Sequence, residues 1–475
     1  MKALLLLAAA SFAAWCADPF RPAYHFTPAK NWMNDPNGTV YYRGEYHLFY
    51  QHDPFGNTWG HMSWGHAVSS DLLHWKHLPV ALAEEDGIMI FSGSVVVDHN
   101  NSSGFCSQGS CLVAIYTGHR KGNQNQSLAY SNDRGRTWTK YARNPVLDLG
   151  MADFRDPKVF WHAARSRWVM AVALPKEHKV RLYASQDLKA WTALSDFGPS
   201  GATAGLWECP DLFELPVANT NEKRWVLVVS VNPGGPAGGS AVQCFVGSFD
   251  GTRFTAEHTE PRWADYGKDF YAATSFSDMP DQRRVWIGWF SNWQYARQEP
   301  TETWRTMQTV PREVSLRSTP QGLRLTQQPV RELLSLRRPV LELKASSLAA
   351  VNARLRSFRE ASYEVEIDLE QDGGLVLRQG ETEETRAGVD ADGAALVDRS
   401  RSGQVAFHPQ FAGRHAVSPG ARRMRVLVDH SSVEVFFGDG EAVISDRIFP
   451  SAGSLRLAVF GSGVRSFKVW RLGLR

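Results

Sequence analysis

The chain is short of the features that mark several common protein classes. Five cysteines in 475 residues, with no Cys-x-x-Cys pair and no His/Cys cluster at zinc spacing, remove a structural zinc module. Neither charge sign is in excess: 52 Lys+Arg against 49 Asp+Glu leave a net +3, which gives no reason to expect nucleic acid or an anionic membrane as partner. No segment is depleted enough in apolar residues to stay unfolded. Long amphipathic helix patterns are nearly missing from residues 20–320, which sets α and α/β classes aside. The glycine-rich run PGGPAGGS (233–240) lacks both Lys-Ser/Thr and a following helix, so it reads as a flexible loop and not a phosphate cradle. The histidines at 61, 66, 74 and 77 are scattered along one β segment and predict no metal site.

The opening MKALLLLAAASFAAWCA has a basic start, a short apolar run and small residues after it, as an export signal does. The run is too short to span a bilayer as a stable anchor. Residues 1–17 are therefore expected to leave, with cleavage near Cys16 or Ala17 and a secreted or periplasmic product. Cys16 as a lipid-carrying cysteine is the weaker alternative, because Trp15 stands where a small residue is expected. Of the other cysteines, Cys106 and Cys111 share one loop, FCSQGSC, and can bridge in an oxidising compartment. Cys209 and Cys244 fall in apolar runs and read as buried thiols.

Two series of repeats organise residues 20–320. The first is a strand-like run, Ser-x-Asp, then an aromatic: AVSSDLLHW (67–75), AYSNDRGRTW (129–138), YASQDLKAW (183–191) and VGSFDGTRF (246–254). The second, interleaved with it, is a hairpin of two β-rich runs, occurring five times: 39–51, 94–118, 158–173, 212–231 and 274–290. Repeated four-stranded units around an axis are propeller blades, and five hairpins argue for five blades. A sandwich with accidental spacing is the competing reading. Past residue 327 the pattern changes. A short helix and connector precede alternating strands such as SYEVEIDLE (362–370) and RMRVLVDHSSVEVFF (423–437), which predict a β-sandwich. The expected division is 18–328 propeller, 329–345 linker and 346–475 sandwich. The charged stretch 371–395 reads as solvated hairpin turns.

Just before the first strand of three hairpins stands an acid close to a proline: Asp35-Pro36, Asp156-Pro157 and Glu208-Cys209-Pro210. Equivalent positions of successive blades surround one axis, so the three acids are expected to meet at one mouth of it. Splitting a glycosidic bond needs one carboxylic acid to protonate the leaving oxygen and a second carboxylate to attack carbon or activate water. Asn34 and Asn37 are placed to keep Asp35 ionised, whereas Trp207 and Cys209 surround Glu208 with apolar groups that favour its protonated form. Arg155 is expected to hold Asp156 ionised. Each acid can equally be a turn residue with local hydrogen bonds, and Asp35 within Asn-Asp-Pro-Asn-Gly fits that reading. Asp53 and Asp211 are left structural.

WMNDPNG (32–38), FRDP (154–157) and WECPDLF (207–213) resemble the three signature motifs of glycoside hydrolase family 32, the invertase, inulinase and levanase family. Further similar segments include LFYQ (48–51), TWG (58–60), FSGS (91–94), DFYAATSF (269–276), NWQYA (292–296) and VDHSSVEVF (428–436). The resemblance implies a five-bladed propeller followed by a sandwich, retention of anomeric configuration, and no metal or organic cofactor. It implies Asp35 as nucleophile, Glu208 as acid/base and Asp156 as the stabiliser of the transition state. It places Trp32, Asn34, Gln51, Trp59, Phe91, Ser92, Arg155, Tyr271 and Trp293 at the substrate. Bacterial levanases and exo-inulinases are most similar over 288–316, implying fructan or sucrose as substrate. Two rivals stand: an inverting five-bladed glycosidase of arabinanase or xylosidase type, and a propeller that binds glycans without cleaving them.

Overall fold

Runs of β-branched and aromatic residues, cut every ten or so positions by Asp- and Gly-containing turns, build consecutive antiparallel meanders. The computed structural model describes residues 18–320, 322–418 and 420–474; the expected export signal, with Cys16, lies outside them. Five sheets form blades I–V, with inner strands Asn31–Tyr42, Met89–Asp98, Arg155–His162, Leu206–Pro216 and Tyr271–Ser275. These inner strands touch one another in cyclic order, the fifth returning to the first. A short strand of the blade V segment, Trp304–Arg305, runs parallel beside Asn31 and Trp32 and closes the ring.

The Ser-x-Asp series is one turn used four times. Asp71, Asp133, Asp187 and Asp250 each accept two backbone N–H bonds of 2.7–3.0 Å from residues two to four positions ahead. An Asx turn of this kind starts the outermost strand without help from the core. Cys106 and Cys111 form a disulfide that closes the loop between the first two strands of blade II.

The second domain packs a six-stranded sheet on a five-stranded one around Val365, Ile367, Val426, Val435 and Phe467. Two expectations need correcting here. Of 329–345, only the 3-10 turn Arg331–Leu336 is a connector, because Arg338–Ser346 already pairs with Val464–Arg471 as an edge strand. Pro339 and a largely exposed face hid it, as suits an edge. The stretch 371–395 is not turns alone: Gly373–Gln379 and Glu384–Val389 are paired strands.

The two domains are joined by buried charge. Arg312 of blade V donates to Glu434 Oε2 from Nε at 3.0 Å and to Asp265 Oδ2 from Nη1 at 3.0 Å. His25 sits between Asp429 Oδ2 and Glu434 Oε1, 2.8 Å from each, and Arg399 reaches back to Asp269 at 2.6 Å. Burial works against a charged His25, but its two carboxylates prevail and raise its pKa; burial also opposes Asp429's charge, yet His25 holds that carboxyl far below its usual range. His25's contribution is therefore lost as pH rises through its raised pKa, and Asp429's only as pH falls through its depressed one. Removing one partner strands the other's charge. Arg312→Met is expected to lower unfolding free energy by about 3–5 kcal/mol, read from denaturant melts. A loss under about 1 kcal/mol would mean that this contact does not brace the propeller.

Candidate active site

All five inner strands carry a β-bulge at the same level. The pairing register slips between Met33 and Pro36, Phe91 and Gly93, Arg155 and Lys158, Glu208 and Asp211, and Tyr271 and Thr274. A bulge turns a side chain out of the strand's alternation. The three acids therefore lie inside their strands and not before them, each turned toward the axis. The prolines suit this, since Pro36, Pro157 and Pro210 have no N–H to lose where the ladder breaks. Asp156, Cys209 and Ala272 take left-handed φ values of 67°, 47° and 50° at their bulges. Their freed N–H groups are caught by Thr117 Oγ1 at 2.9 Å, Asp156 Oδ2 at 2.9 Å and Ser230 Oγ at 3.0 Å respectively. In blade II the bulge needs glycine: a Cβ on Gly93 would stand 2.1 Å from the Ile115 carbonyl oxygen.

The bulges surround a cavity of about 370 Å³ at one mouth of the propeller, lined by Asp35, Asp156 and Glu208 among others. Asp35 accepts from Ser92 Oγ at 2.7 Å and Asn34 Nδ2 at 3.0 Å. Asn37 does not reach it and instead accepts from Gly93 N–H. The Cys209 thiol lies 3.5 Å from Asp35 Oδ2 and 3.7 Å from Asp156 Oδ2, so one sulfur spans both carboxylates. Cys209 thus stands behind two of the acids, outside the cavity lining, and is not a thiol of an apolar strand, whereas Cys244 is buried as expected.

Glu208 is not in an apolar setting. Arg155 Nε donates to its Oε1 at 3.0 Å, and the Tyr271 hydroxyl donates to Oε2. Arg155 also binds Asp153 at 2.8 Å and stands 3.9 Å from Asp156. It serves Glu208 and Asp153 before Asp156, against expectation. Burial, then Glu208's charge, raises the Asp35 pKa, while Ser92, Asn34 and Cys209 pull it back. Burial pushes Asp156 up to about 7, Arg155 opposing and both other acids adding to the rise. Burial and Glu208 hold the Tyr271 phenol well above its usual value, so it stays a neutral hydroxyl.

Asn34, Gln51, Trp59, Phe91, Ser92, Arg155 and Trp293 line the cavity. Trp32 and Tyr271 do not. Trp32 is fully buried, donates its indole N–H to Asn34 Oδ1 at 2.7 Å and stacks on Trp293, so it orients residues that do face the cavity. Tyr271 stands behind Glu208. Sequence reasoning missed His119, Gln124, Asp153, Leu206, Asn232 and Arg297, which share the lining. Hairpin register carried part of that signal: His119 pairs with Met89 and Asn232 with Leu206, each opposite the start of an inner strand. The loop 233–240 is tied to this rim by Asn292, whose Nδ2 donates to Gly238 O and whose Oδ1 accepts from Ser240 N–H, both at 3.3 Å.

Chemically, the cavity offers Asp35 and Glu208 with different partners, the further carboxylates of Asp156 and Asp153, and aromatic walls in Trp59, Phe91 and Trp293. That is equipment for a neutral sugar ring and an acid–base pair. Comparison with known proteins agrees. Residues 25–329 match the glycosyl hydrolases family 32 N-terminal domain, and 332–471 match the glycosyl hydrolases family 32 C terminal. A levanase of Bacillus subtilis is 48% identical, over 96% of this chain and 71% of that protein. An extracellular exo-inulinase of Aspergillus awamori is 39% identical, over 94% and 92%. The structure of a Schwanniomyces occidentalis fructofuranosidase complexed with fructosylnystose superposes with a TM-score of 0.89 at 33% identity, over 96% and 98% of the two chains.

Proposed function

The chain belongs to glycoside hydrolase family 32, and from that premise we propose that it is a retaining exo-β-fructosidase that removes terminal β-fructofuranosyl units from fructans and from sucrose. The observation that carries the reading is the placing of Asp35 and Glu208 on one sugar-sized cavity with opposite equipment. Asp35 is held by a hydroxyl and an amide that aim it; Glu208 is held by a guanidinium and a phenol. Asp35 attacks C2 of the terminal fructosyl unit while Glu208 gives its proton to the departing oxygen. The C2–O bond breaks and an ester to Asp35 forms. Glu208, now ionised and facing Arg155, takes a proton from water, which attacks C2 and frees Asp35. The Tyr271 hydroxyl can donate to Glu208 when it is ionised and accept from it when it is protonated. Asp156, in the lining of the same cavity, accepts from the hydroxyls of the fructose ring. Two displacements at one carbon return the original configuration.

The likeness to levanases and exo-inulinases supports fructans as substrate, and the complex of the S. occidentalis relative with a fructosyl oligosaccharide supports binding of such chains. We infer export as well, since the A. awamori relative is extracellular. Among the described residues no helix is long and apolar enough to cross a membrane. Following the first sugar released from sucrose by NMR tests the mechanism: β-fructofuranose appears first if configuration is retained, and the α anomer first would establish the inverting reading instead. Product analysis on sucrose, levan and inulin side by side tests the substrate range.

The electrostatics predict a bell-shaped dependence of kcat/KM on pH. Asp35 works ionised, so a raised pKa means that its proton returns early as pH falls. The acid limb is expected above the ordinary aspartate range. The alkaline limb follows from the need for a proton donor to the departing oxygen. Rates on sucrose that stay level down through the usual aspartate range would show that burial does not govern the nucleophile.

A further inference from the structure

The inner strands that start at the candidate site end at a second, unassigned cleft on the far mouth of the propeller. Two adjoining cavities of about 300 and 550 Å³ lie there, sharing Phe160, Trp161, Ser277 and Arg284. Asp156 and Trp161 occupy one strand, five residues or roughly 16 Å apart. Between the two mouths the axis is closed by Lys158, whose Nζ meets Asp211 Oδ2 at 3.1 Å, Thr274 Oγ1 at 3.1 Å and Ser275 O at 2.5 Å. The clefts are therefore separate sites.

The far cleft has a sugar-binding character. Trp161 is 40% exposed, an unusual state for so large an apolar ring, and is propped on edge by Trp168 at 5.1 Å. Phe160 and Trp225 meet at 5.6 Å beside it, and His162 stacks on Trp225. Polar groups in the cleft are left with bonding capacity. Asp211 is 2% exposed, yet among the described residues its Oδ1 has no hydrogen-bond partner, nor has His162 Nδ1. Among the described residues Arg284 makes two long hydrogen bonds, 3.5 Å to Ser275 Oγ and 3.3 Å to Phe276 O, and it lies over the Phe213 ring. Buried donors and acceptors are normally satisfied, so these point to a polar ligand. Lys158 and Arg284 face five carboxylates in the lining, Asp98, Asp211, Glu214, Asp250 and Asp278, which turns an anion away; Asp98 and Asp250 are taken up by nearby hydroxyl and backbone N–H groups, His99 pairs with Asp278, and no cluster among the described residues can hold a metal cation. A neutral ligand with many hydroxyls and apolar C–H faces fits both the aromatic rings and the unused polar atoms.

We propose that this cleft is a non-catalytic saccharide-binding site that holds an internal stretch of the fructan chain. The proposal rests on the reading of fructan as substrate. Its effect is one of effective concentration: an enzyme held on the polymer meets its chain ends more often. Sucrose, too small to use both sites, gains nothing.

The test uses the full chain in the Asp35→Asn background, so that polymer is bound but not cut, run in native gels containing levan or inulin. Trp161→Ala is expected to weaken retardation by about three- to tenfold, and Trp161→Phe, which restores a flat ring, to recover most of it. In the active enzyme Trp161→Ala should raise KM for the polymer by a similar factor while leaving kcat/KM on sucrose unchanged. Retardation equal to the parent's in both fructans, a parent that neither polymer retards, or a loss that Trp161→Phe fails to restore would each overturn the site. A drop in sucrose turnover together with melting temperature would show damage to the fold and would overturn it too. Failure of the fructosidase reading is separate: the active enzyme would then cleave neither sucrose nor fructan, whatever Trp161 does in the gels.

Discussion

Replacing Asp35 with asparagine is expected to reduce kcat on sucrose by about 10⁴-fold or more, with the fold intact. The amide has the shape of the carboxylate and can still accept from Asn34, while Ser92 can turn its hydroxyl to accept from the new NH₂. What is lost is the only oxygen in that position able to form an ester with C2. The substitution also removes a buried carboxyl whose own pKa burial and Glu208 raise, and whose charge adds to the rise at Asp156. Stability at neutral pH should therefore hold or rise slightly, a trade between function and stability expected where like charges are gathered for chemistry. Steady-state turnover and thermal melting together decide the matter. A residual rate within about a hundredfold of wild type would remove Asp35 from the nucleophile's role, and an equal fall in melting temperature would make it a structural residue.

How far the sequence went depends on which physical signal each feature left in it. The blades were legible because a hairpin writes itself locally: alternation, a turn, alternation again. The four aspartates of the Ser-x-Asp turns were legible for the same reason, since each bonds only the residues just ahead of it. The bulges were not. A bulge is a slip in pairing with another strand, and nothing in Arg155-Asp156-Pro157 read alone tells that Asp156 takes a left-handed φ. The acids were accordingly set before their strands, although their convergence was foreseen from blade register. Local context also misled about Glu208, whose neighbours Trp207 and Cys209 suggested an apolar pocket. Its actual partners, Arg155 and Tyr271, come from two other blades and lie 53 and 63 positions away.

The same distinction separates the two halves of the chain. VDHSSVEVF was recognised by resemblance, but its place was not: Asp429 and Glu434 point out of the sandwich to His25 and Arg312, more than 120 positions distant in every case. Ion pairs buried between domains carry no period and no local motif. They are found only once both partners have been placed.

Glu208→Gln separates the two steps of the proposed mechanism and is the sharper test. On sucrose the substitution is expected to reduce kcat/KM by about 10³-fold, because the departing glucose oxygen needs a proton and glutamine has none to give. On an aryl fructoside whose phenol leaves as its anion, the first step needs little acid help and should be largely spared. The second step still lacks its base, so the fructosyl ester on Asp35 should accumulate, seen as a burst of phenol followed by slow turnover. Glutamine keeps an acceptor for Arg155, which also retains Asp153 at 2.8 Å, so no unpaired cation is left in the wall and the fold should survive. A small anion such as azide, which needs no base, should enter where water waits and release the ester as a fructosyl azide of retained configuration. Losses of equal size on sucrose and on the activated fructoside would mean that Glu208 does not supply the proton. The pairing of a general acid with a nucleophile on this cavity would then fail, even with Asp35 in its role.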